Sequence, residues 1–130
     1  MLRKIHHVGI VTGDLNKAVQ RFEGFGLSWR EVINNEDIGI NAAFFLIGDS
    51  LIELINYTEP AKTHDHVVRS QKGIINHLCF EVDNLEVSIR EFEQTGAKLV
   101  EGFPKCGAKG HIAFFYPETT EGILIELCQL

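Results

Sequence analysis

Apolar positions along this chain follow two rhythms, and the whole pattern is written twice. Residues 5–11 and 75–82 are apolar and partly β-branched, which predicts a strand in each place. A side chain suited to a helix N-cap follows each run, Asp14 in one case and Asn84 in the other. Leu15, Ala18, Val19 and Phe22 then recur at helical spacing. Leu85, Ser88, Ile89 and Phe92 repeat that stripe, with Ser88 its weakest member. Gly26 and Gly96 stand where helices stop. Three short strands are expected after each helix, at 28–33, 41–47 and 51–56 and again at 98–101, 111–116 and 123–128. Gly48-Asp49-Ser50 and the run from Pro117 to Gly122 read as the turns before each last strand.

The two halves superimpose as text. A shift of 70 lays Ile5 on Ile75, His7 on His77, Leu15 on Leu85, Phe22 on Phe92, Glu23 on Glu93 and Gly26 on Gly96 without a gap. The same shift lays Ala43-Phe44-Phe45 on Ala113-Phe114-Phe115, and a shift of 73 lays Leu51-Ile52-Glu53-Leu54 on Leu124-Ile125-Glu126-Leu127. Internal repetition at this period means one supersecondary unit used twice. The expected fold is α+β, two tandem βαβββ modules with pseudo-twofold symmetry forming a curved mixed sheet. One domain is expected over residues 1–130. Module one spans about 1–58, a polar linker about 59–73, and module two about 74–130. A short helix over 65–71 is compatible with the linker.

Four polar residues interrupt the apolar strands. Glu53 and Glu126 sit mid-strand in Leu-Ile-Glu-Leu runs, and a carboxylate buried there is costly unless it has a partner. His7 and His77 sit in the first strand of each module. A lone strand histidine is usually a hydrogen-bonded core or edge residue, and a lone strand glutamate usually faces solvent. Here all four obey the repeat. If the first and last strands of a module are neighbours, each module offers one imidazole and one carboxylate. Two such pairs facing each other make a divalent metal site of His7, Glu53, His77 and Glu126 with room for substrate or water. With no thiolate among the ligands, Co²⁺, Ni²⁺, Zn²⁺, Mn²⁺ and Fe²⁺ all suit it. Other candidates are weaker. His6 is expected at the surface or behind the ligands, His64-Asp65-His66 as solvated linker, His111 at a cavity mouth, and Glu36-Asp37 in solvent.

Composition narrows the function. The chain has 130 residues, 12 Lys+Arg against 18 Asp+Glu and a formal charge of −6. That is enough chain for a core without staples, and the acidic balance argues against nucleic acid as partner. The apolar runs are too short to span a bilayer, and the residues after Met1 lack a signal-peptide core, so neither a membrane nor export is expected. Cys79, Cys106 and Cys128 form no CxxC pair and read as reduced thiols of a cytoplasmic protein. Phosphate-binding loops and serine or cysteine nucleophile motifs are missing.

These residues resemble the vicinal oxygen chelate superfamily, which includes glyoxalase I, extradiol dioxygenases and methylmalonyl-CoA epimerases. The likeness is greatest to the epimerases. Ile5-His6-His7-Val8-Gly9-Ile10 is similar to their first ligand strand. The stretch from Asn76 to Asn84 is similar to their second. The stretch from Ile112 to Leu127 is similar to their ending, with Tyr116 where they carry histidine before proline. Some bacterial epimerases place a catalytic glutamate after a Gly-Val pair; that pair is Gly39-Ile40 here, and the glutamate position holds Ala42. The resemblance implies a metal-dependent racemase or epimerase that moves the proton α to a thioester carbonyl, with Glu126 and Glu53 as the acid/base pair. It implies an acyl-CoA substrate and a homodimer. Two alternatives stay open: a lactoylglutathione lyase-type isomerase of thiol hemithioacetals, and a non-catalytic binding or resistance protein of the same fold. Lys105 and Lys109 could meet CoA phosphates or serve only as loop charges.

Overall fold

In a computed structural model, residues 2–62, 67 and 74–130 are described. The expected 65–71 helix and the His64-Asp65-His66 group lie outside them, apart from Val67. Strand β1 (Leu2–Val11) is followed by helix α1 (Leu15–Gly24) and by strands β2 (Trp29–Asn35), β3 (Ile40–Ile47) and β4 (Ser50–Tyr57). Strand β5 (Ile75–Val82) opens the second copy. Helix α2 (Leu85–Gln94) and strands β6 (Lys105–Cys106), β7 (His111–Phe115) and β8 (Ile125–Gln129) follow. The chain is α+β with the βαβββ order used twice.

It divides into two compact units, His7–Asn76 and the residues up to His6 with His77–Leu130. In the first, the strand order is β2-β3-β4-β1, with β1 parallel to β4 and the rest antiparallel. In the second it is β1-β5-β8-β7-β6, with β5 parallel to β8 and β7 antiparallel to β6 and β8. Each sheet is therefore mixed, because a strand–helix–strand crossover brings the first strand parallel to the last.

The caps explain why the repeat is so clean around the helices. Asp14 accepts from the backbone N–H of Lys17, and Asn84 from that of Val87, both at 3.1 Å. Gly26 and Gly96 sit at φ 95° and 100°, a conformation that glycine adopts without a Cβ penalty. The N–H groups of Leu27 and Ala97 then reach back to the carbonyls of Phe22 and Phe92, closing the same Schellman motif in both copies. Strand alternation puts one side of each sheet under its helix. Ala43, Phe45 and Leu54 pack with Leu15, Ala18, Val19 and Phe22 in one unit. Ala113, Phe115 and Leu127 pack with Leu85, Ile89 and Phe92 in the other.

Two expectations are corrected. The strand expected at 98–101 makes only a single bridge, Leu99 to Phe115, and pairing resumes at β6. The chain turns there, with the Phe103 N–H returning to the Val100 carbonyl, and Pro104 has no N–H to give a ladder. His6, expected at the surface or behind the ligands, is buried, so the surface alternative falls. Strand β1 starts at Leu2 rather than Ile5, which places His6 in mid-strand. Truncation of the buried Phe115 to alanine is expected to cost about 3–5 kcal/mol in urea unfolding. The same change at the exposed Phe25 should stay within about 0.5 kcal/mol.

Candidate metal centre

Register builds the first half of the site. Gly9 of β1 lies opposite Glu53 of the parallel strand β4. His7 precedes Gly9 by two residues and so shares its face. Its Nε2 lies 3.2 Å from Oε1 of Glu53. Glu53 in turn lies opposite Phe44 of β3, and the phenyl ring stands edge-on to the imidazole with centroids 5.8 Å apart.

The second half repeats this step for step. Cys79 of β5 lies opposite Glu126 of β8. His77, two residues before Cys79, brings Nε2 to 2.8 Å from Oε2 of Glu126. Glu126 lies opposite Phe114 of β7, whose ring is perpendicular to the imidazole at 5.4 Å. None of the four polar side chains' residues is more than 4% exposed. Among the described residues, no buried side-chain nitrogen or oxygen lacks a hydrogen-bond partner. A carboxylate so deep would cost several kcal/mol without its imidazole, so each pair is a unit in which neither member is tolerable alone.

The donor chemistry fits a divalent ion. Each pair offers one buried imidazole nitrogen and one buried carboxylate oxygen. A cation taking the place of the proton between them leaves both atoms satisfied. Each half is thus a candidate His/Glu ligand pair. Phe44 and Phe114, which wall these pairs, were not picked out as site residues from the pattern. Their signal was present in the aligned Ala-Phe-Phe blocks. Ala42 is buried in β3 opposite Ile55 and brings no acid or base. His111 is exposed at the start of β7, and Glu36 and Asp37 are exposed in their loop. The Lys105 ammonium lies 4.7 Å from the Phe103 ring centroid, a cation–π contact that accounts for its position.

The model for the glyoxalase/bleomycin resistance protein/dioxygenase superfamily matches residues 6–115. The chain belongs to that superfamily. Among superfamily relatives, the mitochondrial methylmalonyl-CoA epimerase of Dictyostelium discoideum is 26% identical over 95% of this chain and 76% of its own length. The ethylmalonyl-CoA/methylmalonyl-CoA epimerase of Cereibacter sphaeroides is 27% identical over the full length of both. A solved structure of a variant Streptomyces coelicolor methylmalonyl-CoA epimerase, in complex with 2-nitronate-propionyl-CoA, is similar at a TM-score of 0.87. It covers 99% of this chain and 98% of that one at 23% identity, a likeness of fold. The resemblance seen in the residues to this superfamily and its epimerases is borne out, and the lyase-type alternative is not favoured.

The tightness of the two pairs yields an expectation. In metal-free protein, a double-mutant cycle with His77→Asn and Glu126→Gln should give a coupling of about 0.5–3 kcal/mol. The cycle with His7→Asn and Glu53→Gln should give a smaller one, following the longer 3.2 Å contact. Chemical denaturation measures both, and zero coupling would show that the contacts carry no energy.

Proposed function

We propose that this chain is a metal-dependent epimerase of the methylmalonyl-CoA epimerase kind, moving the proton α to the carbonyl of an acyl-CoA. The observation that carries this reading is the recurrence of one buried imidazole–carboxylate pair in each copy of the repeat. The relatives named for this reaction and the acyl-CoA analogue held by the Streptomyces enzyme support the substrate class.

In this reading His7, Glu53, His77 and Glu126 together hold one divalent ion. When bound, the ion supplies positive charge toward the acyl oxygens, lowering the cost of the negative charge that develops there. The rest is the work of the chain. Inversion at carbon requires a proton to leave one face and another to arrive on the opposite face. A duplicated fold offers one carboxylate per copy for these two tasks. Glu126 takes the α proton as the C–H bond breaks, and the electron pair moves into the thioester carbonyl. Glu53 delivers a proton to the other face as the pair returns to carbon. His77 and His7, whose Nε2 atoms lie beside the two carboxylates in the metal-free protein, would share the ion with them. Phe44 and Phe114 cover one side of the His7 and His77 imidazoles, and the carboxylate protons exchange with solvent between turnovers. The enzyme acts as a homodimer in the cytoplasm, where reduced cysteines such as Cys79, Cys106 and Cys128 persist.

Incubation of the loaded enzyme with methylmalonyl-CoA in deuterium oxide should wash deuterium into C2, and a chelator should stop it. Glu126→Gln should slow the wash-in by about 10²–10⁴-fold. No exchange with any of Co²⁺, Ni²⁺, Zn²⁺, Mn²⁺ or Fe²⁺, or full exchange in the variant, contradicts the assignment.

A further inference from the structure

His6 of β1, Cys79 of β5 and Cys128 of β8 place one ligand atom each within 4.8 Å of one another. All three lie in the unit formed by the residues up to His6 and His77–Leu130. The two cysteines are fully buried and form no disulfide, and His6 is 6% exposed. The epimerase reading uses none of them.

The repeat shows that the fold does not require this group. The positions that match His6, Cys79 and Cys128 in the other copy are Asn76, Gly9 and Ile55. There Asn76 donates to the Val67 carbonyl at 3.0 Å, and no thiol or imidazole is present among the three. The same architectural place is thus satisfied once without any metal-binding side chain and once with three. The donors also differ in kind from those of the His/Glu pairs. Two sulfurs and an imidazole form a soft set, whereas imidazoles and carboxylates form a borderline to hard one.

We propose that His6, Cys79 and Cys128 form a second, buried ion site, selective for a thiophilic divalent d¹⁰ cation such as Zn²⁺ or Cd²⁺. Two thiolates and a neutral imidazole bring such an ion to zero net charge, the condition under which a buried ionic group is tolerated. Binding releases the two thiol protons, so the charge balances. A Cys₂His set leaves a fourth position to a non-protein ligand. Alternation puts Cys79 on the face of His77 and Cys128 on the face of Glu126, two residues along the same strands. The soft site therefore adjoins the second half of the hard one.

Cd²⁺ titration of the full-length protein, carrying Cys106→Ser to remove the exposed thiol, tests the proposal. The readout is the ultraviolet thiolate-to-cadmium charge-transfer band. One equivalent should saturate it, with or without Mn²⁺ present. The band should vanish in the variant that also carries Cys79→Ser and Cys128→Ser. His6→Asn, the residue that the repeat places there, should loosen binding by about tenfold or more, since even outer-shell changes cost that much. If the double cysteine variant does not fold by circular dichroism, the His6→Asn comparison carries the test. Absence of the band, its persistence without the two cysteines, unchanged affinity in His6→Asn, or a Cys79–Cys128 disulfide in place of bound ion overturns the proposal. The His/Glu ligands contain no sulfur, so this result stands or falls apart from the epimerase assignment.

Discussion

The register between the first and last strand of each βαβββ copy is the constraint on which the rest depends. Parallel pairing sets Gly9 against Glu53 and Cys79 against Glu126. Only that register lets the histidine two residues upstream meet the carboxylate. A slip of one residue would turn Glu53 toward helix α1 and Leu54 toward the imidazole, stranding a charge in an apolar layer. Packing holds the register. Phe45 and Leu54 are sealed under α1, and Phe115 and Leu127 under α2, so the opposite faces have no freedom to shift.

This division of labour explains how an expensive feature is maintained. The helix-side faces are apolar and supply the burial energy. The other faces spend part of it on carboxylates that would be avoided in a purely structural sheet. The imidazole offsets the desolvation of the carboxylate, and the perpendicular phenyl ring closes the remaining side. A pair so arranged leaves neither donor stranded in the buried layer. Duplication places one such carboxylate in each copy.

Much of this was legible in the chain because the repeat is an internal control. His7 alone, or Glu126 alone, would be an ordinary strand residue. Their matching positions in both copies made them candidates, and the same alignment carried the caps at Asp14 and Asn84. What the pattern could not give was tertiary in origin. The strand expected at 98–101 was lost to a turn closed by the Phe103–Val100 hydrogen bond, which no local alternation announces. His6, next to His7 and on the opposite face by alternation, was expected at the surface or behind the ligands, and the fold buries it beside Cys79 and Cys128. Those cysteines are 49 positions apart in sequence and meet only because β5 and β8 pair in parallel.

In the proposed function the two symmetric pairs serve one ion rather than two. Mn²⁺, an oxygen- and nitrogen-seeking ion with little affinity for thiols, reports on it through the stoichiometry of binding followed by electron paramagnetic resonance. One Mn²⁺ per chain is expected, lost when either His7→Ala or His77→Ala is introduced into protein that remains folded. Two ions per chain, or one that survives either substitution, would contradict it.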